Sequence, residues 1–190
     1  MLRKTIKNIA LLDLQNFTAE ALREIKKIES CAMLLVPKNA SDEWKNAYAK
    51  ITIRNVASII EVSYSKYSVL NGMVILNDKN VSDDCLYIVN GIIILETVEK
   101  IPDLCVNGLL LKRKKSRYEM TRMNGRSVEV EDNVVIKPYP NTIEIDGDTV
   151  RSFDYNTLVA AGNNVDIDNN VTEQMLLDKK ITFAAGNEVK

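Results

Sequence analysis

The chain of 190 residues is of ordinary single-domain size, with 46% apolar and 27% charged residues, the composition of a packed globular body rather than a disordered one. Its 25 Lys and Arg nearly cancel 26 Asp and Glu, so no global field recommends a nucleic acid or an anionic membrane. There is no histidine, which removes Ser-His-Asp and Cys-His catalysis, imidazole bases and every His-containing zinc site.

The segment from Met1 to Asp13 begins basic and turns apolar, but Asp13 cuts the run and no small-residue cleavage site follows, so a first strand is expected rather than a signal peptide. The segments Thr18–Ile28 and Ser41–Ile51 each have a hydroxyl cap, an early acid, a late lysine and a terminal Ile. Both predict short helices, with stripes of Leu22, Ile25 and Ile28, and of Trp44, Tyr48 and Ile51. Strand-like copies start at Asn8, Ser30, Asn55, Asn71, Asn90, Asn107 and Asn124, in steps of 22, 25, 16, 19, 17 and 17. The last four starts are Asn-Gly pairs and read as corners. Four positions after each start comes Leu12, Leu34, Ile59, Ile75, Ile94, Leu111 or Val128, and the first six are expected to form one internal column.

Further along, Val128–Glu131, Val134–Ile136 and Thr142–Asp148 read as half-buried strands, with Asn141 continuing the spacing of 17 from Asn124. Asp146-Gly-Asp148 reads as a hairpin or coil corner. The segment Ala160–Val165 recurs as Ala184–Val189, a step of 24, and Thr172–Ile181 between them predicts a third helix. A five-residue strand cannot bury its own apolar side chains, so units of this length are stable only when stacked. The reading is mainly β: a parallel β-solenoid with short helices in the N-terminal copies and near the C-terminus, an antiparallel β meander with short helices being the alternative. One domain spans 1–190, with helix-bearing coils in 1–66, short Asn-Gly coils in 67–126 and polar, acidic coils in 127–190. The repeats resemble the broad group of parallel β-solenoids, with leucine-rich-like copies at the start, although the Asn stands before the strand leucines rather than after them.

The chemistry-bearing candidates are few. Lys112, Arg113, Lys114, Lys115, Arg117, Arg122 and Arg126 put seven basic residues against the single Glu119 in a window of 15, enough to hold an anionic partner, with Tyr118 available to stack on a base. The competing readings are a solvated loop, and a patch that faces residues 127–190, where 12 acids stand against 5 bases. Asp166-Ile-Asp168-Asn-Asn170 has the alternate oxygens of a calcium loop without its glycine and closing Glu, so a polar turn is preferred and no metal is expected. Cys31, Cys85 and Cys105 lack CxxC spacing and read as reduced, buried thiols, Cys85 and Cys105 at related coil positions. Glu129 and Glu131 share one strand face, and a glycosidase-like reading stays open by analogy of fold alone.

No cofactor and no catalytic residue is assigned. The expectation is a cytoplasmic, non-enzymatic module that binds another protein or its own copies as a homo-oligomer, with no membrane partner and nucleic acid ranked low. A carbohydrate-active or other hydrolytic β-helix enzyme is the alternative, and an anion or nucleic-acid binder acting through 112–126 is the third reading. The last coil is expected to expose Ile181, Phe183 and Val189.

Overall fold

A computed structural model describes residues 4–63 and 66–190, and 56% of the chain lies in strands against 14% in short helices. The protein is mainly β, built from several small parallel sheets, and the chain divides into two compact units, 1–65 and 66–190.

In the first unit β1 (Lys4–Asp13), β2 (Ile25–Pro37) and β3 (Thr52–Val62) form one parallel sheet in that order. The connections carry α1 (Ala19–Arg23) and α2 (Asp42–Tyr48), whose first turns are closed by Thr18 Oγ1 accepting from the Ala21 N–H and Ser41 Oγ accepting from the Trp44 N–H. The first helix is shorter than its stripe predicts. It stops at Arg23, and Ile25 and Ile28 enter β2, where they are buried with Leu22, Leu34 and Trp44. Asn8, Ser30 and Asn55 occupy one aligned point of the three strands, each with positive φ (58°, 55° and 51°). Short polar side chains tolerate such a bend better than branched ones do.

The second unit opens with β4 (Lys66–Asn77), β5 (Cys85–Glu96), β6 (Asp103–Arg113) and β7 (Glu119–Val130), again parallel and in chain order. Asn71, Asn90, Asn107 and Asn124 pair across the sheet, as do the four glycines that follow them. These dipeptides lie inside strands rather than between them, and every described pairing is parallel, so the antiparallel meander is excluded. A strand as long as β5 drawn straight would span about 40 Å, whereas a six-residue connection such as 97–102 reaches only about 25 Å. Each strand must therefore bend to return beside itself, and it does so at the glycine, whose φ is +82°, +131°, +136° and +142° from β4 to β7. Asn90 Nδ2 donates to Asn71 Oδ1 (2.9 Å) and Asn107 Nδ2 to Asn90 Oδ1 (2.8 Å), tying one bend to the next.

The remaining strands are shorter. β8 (Val135–Tyr139), β10 (Thr157–Ala161) and β12 (Thr182–Ala185) form one parallel sheet, and β9 (Ile143–Ile145), β11 (Asn164–Ile167) and β13 (Glu188–Val189) another. The Ala-Ala-Gly-Asn repeat pairs as expected, Ala160 with Ala184 and Val165 with Val189. Asn141 does not continue the Asn124 row. It starts a separate one, its carbonyl accepting from the Asn163 N–H, and the Asn163 carbonyl accepting in turn from Asn187. Between these rows lie α3 (Gly147–Ser152) and α4 (Glu173–Lys179), the latter capped by Thr172. The segment read as an Asp-Gly-Asp corner is the start of α3, with Asp146 Oδ1 accepting from the Thr149 N–H at 2.7 Å.

Three apolar clusters fill the second unit. One lies on the β4–β7 sheet and includes Val89, Ile93, Leu104 and Leu110; another surrounds Val150, Phe153 and Ile181 of the C-terminal strands and helices. The third joins the two groups of strands, with Ile92, Ile94, Leu109 and Leu111 packing with Leu158 and Ala160. The expected internal column is thus two in-register rows, Leu12–Leu34–Ile59 in the first unit and Ile75–Ile94–Leu111 in the second. Only Leu34, Ile94 and Leu111 are buried: on the terminal strands Leu12 of β1 is half-buried, and Ile59 of β3 and Ile75 of β4 are exposed. Ile181, expected at an exposed end, is buried, while Phe183 is half-buried and Val189 exposed.

Candidate functional site

Neighbouring parallel strands, or rungs, stand about 4.8 Å apart, so a side chain on one rung lies beside the residue at the same position on the next. Two like charges stacked in this way repel, and around Lys112 to Lys115 the sign changes from one strand to the next. Lys112 at the end of β6 pairs with Glu129 on β7 (3.0 Å), Lys114 with Glu131 (3.5 Å) and Lys115 with Asp132 (3.9 Å). Arg113 reaches Glu96 of the preceding rung at 3.5 Å, and its Nη1 donates to the carbonyls of Glu131 and Val134. Each of these ion pairs joins residues 17 positions apart, the same offset that separates Asn107 from Asn124. A tally of basic against acidic residues does not resolve that offset, although the sequence carries it as alternating signs.

The basic segment is therefore split. Lys112 to Lys115 face acids of the chain itself, and the Glu129 carboxylate, the larger influence, holds the Lys112 ammonium above its ordinary pKa against the opposing effect of burial. Tyr118, expected to be open for stacking, lies under Lys112 Nζ at 5.8 Å. The loop itself is pinned, Ser116 Oγ donating to the Leu95 carbonyl and the Arg117 N–H to the Thr97 carbonyl. None of the described ion pairs involves Arg117, Arg122 or Arg126. Arg122 and Arg126 stand on β7 at positions that hold Cys105 and Leu109 on β6.

The carboxylates are mostly occupied within the chain. Glu129 lies on β7 and Glu131 just beyond its end, so they do not share a strand face, and both are drawn into the pairs just described. Asp166 and Asp168 line a recess of about 420 Å³ with Glu144 and Asp146. There Asp146 caps α3, Asp168 Oδ1 accepts from the Asn170 N–H, and Asn170 Oδ1 accepts from the Gly147 N–H, a web that shapes the turn before α4. Among the described residues no group of three or more His, Cys, Asp or Glu is arranged to hold a metal ion. No motif marks Asp78, yet its carboxylate accepts from the N–H groups of Val98, Glu99 and Lys100 on the next rung's turn. Those donors, led by Lys100, hold its pKa below the ordinary carboxylate value.

All three cysteines are buried and free. Cys85 and Cys105 are not equivalent, since Cys105 pairs with Ile88 and Cys85 with Lys66. Burial pushes both thiols up, the direction that weakens a nucleophile.

A contrast between the two ends of the β4–β7 sheet is the strongest surface feature. On β4, Tyr67, Val69, Met73 and Ile75 are 37–45% exposed. Their partners on β5, Leu86, Ile88, Ile92 and Ile94, are buried. The opposite terminal strand, β7, presents Arg122 and Arg126 instead. No described helix is long and apolar enough to cross a membrane. In comparisons with known proteins, no family model, no curated protein and no solved structure matches the chain.

Proposed function

We propose that the chain is a non-enzymatic repeat scaffold, a parallel β-solenoid that works by self-association through the β4 row. The observation that carries this reading is Tyr67, Val69, Met73 and Ile75 lying exposed at positions buried on the adjacent rung. A terminal strand invites pairing, and natural sheets block it with charge, as Arg122 and Arg126 do on β7. Along β4 the only charged residue is Lys66, itself paired with Asp84 at 3.4 Å. Apolar side chains grouped on such an end favour covering by another molecule, and a second copy supplies the same row.

The anion-binding reading ranks lower because four of its seven cations are paired with acids within the chain, leaving Arg117, Arg122 and Arg126. Light scattering over a hundredfold range of concentration tests the proposal. The mass should rise with concentration for the natural sequence and stay monomeric for V69K/M73K, with unchanged circular dichroism. A monomeric mass throughout, or association untouched by the double substitution, overturns it.

A further inference from the structure

The chain carries four copies of one reactive dipeptide, Asn71-Gly72, Asn90-Gly91, Asn107-Gly108 and Asn124-Gly125, at a single register but in different surroundings. In Asn-Gly the glycine backbone nitrogen can attack the asparagine Cγ. The new N–Cγ bond replaces the Cγ–Nδ2 bond, the glycine N–H proton leaves with the amide as ammonia, and water then opens the succinimide at either carbonyl to give aspartate or isoaspartate. Glycine favours the step because no Cβ shields its nitrogen or restricts its backbone. In a folded chain the rate is set by how freely the carboxamide and the following peptide can leave their native positions.

We propose that Asn124 is a site of spontaneous deamidation in the folded protein and converts before the other three. Asn90 and Asn107 lie on β5 and β6, paired on both sides, and each Nδ2 is held by the carboxamide oxygen of the preceding rung, at 2.9 and 2.8 Å. Asn71 lies on a terminal strand, but its Oδ1 accepts from Asn90, which fixes the orientation of its amide. Asn124 lies on the other terminal strand, both it and Gly125 are exposed, and among the described residues its side chain makes no hydrogen bond. The product carboxylate stands between Arg122 and Arg126 in the strand, so one conversion places an anion on the cationic edge of β7.

The test is incubation of the intact protein in mildly alkaline buffer, with peptide mass spectrometry resolving aspartate and isoaspartate at each of the four sites. A parallel sample in concentrated urea gives the rates of the same dipeptides without the fold. In urea the four should convert at similar rates; folded, Asn124 should outpace Asn90 and Asn107 by at least about tenfold. N124Q should remove the early conversion and leave the slow ones unchanged. Conversion of all four in step in the folded protein, conversion led by any other site, or an intact Asn124 after the unfolded sample has reacted would each overturn the proposal.

Discussion

The glycines at the bends make a sharp prediction about packing. A Cβ built on Gly108 would lie 2.2 Å from the Gly91 carbonyl oxygen and 3.0 Å from its carbon, at a φ of +136°. Gly72 has a positive φ of +82° too, yet a Cβ there meets nothing within 4 Å. Both substitutions to Ala carry the backbone strain of an L residue at positive φ, about 1–2 kcal/mol. Only Gly108→Ala must also push two rungs apart by about 1 Å to restore ordinary contact, at a spacing of about 4.8 Å that their hydrogen bonds require. Loss of two such bonds, each worth about 1 kcal/mol net, brings Gly108→Ala to about 3–4 kcal/mol. With a urea slope of about 2 kcal/mol/M, its midpoint should fall by more than about 1.5 M, and that of Gly72→Ala by less than about 1 M. Urea titration followed by far-ultraviolet circular dichroism measures both. Equal shifts for the two would refute the close rung-to-rung approach.

Within the second unit's aliphatic row, Ile94→Ala should cost about 2–5 kcal/mol because Ile94 is 5% exposed, whereas Ile75→Ala at the open end should cost less than half of that; equal costs in denaturant titrations would contradict the assignment of β4 as terminal. A double-mutant cycle on Lys112 and Glu129 should give a coupling of about 0.5–1 kcal/mol that shrinks with salt, since the side chains are 26% and 49% exposed; a coupling that salt leaves unchanged would contradict a solvent-screened pair. The depressed pKa of Asp78 means that its contribution is complete above the unfolded value of about 3.9 and is lost as pH falls through the lower folded value. Asp78→Asn should therefore reduce stability at neutral pH and flatten its decline in acid; a decline as steep as that of the natural sequence would remove Asp78 from the account.

Much of the architecture is legible because parallel strands paired in register write their spacing into the chain. Asn-Gly recurring in steps of 19, 17 and 17, and Ala-Ala-Gly-Asn recurring after 24, mark residues that pair in space. Local signals mislead where another force competes. Leu22, Ile25 and Ile28 have helical spacing, but Ile25 and Ile28 gain more by joining a long strand that buries them on a partner rung. Asp146 resembles a turn residue because a turn and a helix cap use the same carboxylate-to-backbone bond. Asn141 keeps the spacing of 17 by coincidence, since a count along the chain does not reveal where it leaves one sheet for another. The charge pattern is present in the chain as well: Glu96 and Arg113, Lys112 and Glu129, and Lys114 and Glu131 are opposite in sign at a spacing of 17, and only strand pairing makes that visible.

The surface assigned to assembly is tested most directly by amide hydrogen exchange measured on dilute and concentrated samples of the natural sequence. Association through the β4 row predicts that exchange slows with concentration across Lys66–Asn77 and stays constant across Glu119–Val130. Exchange independent of concentration across β4, or slowing confined to β7, would contradict it.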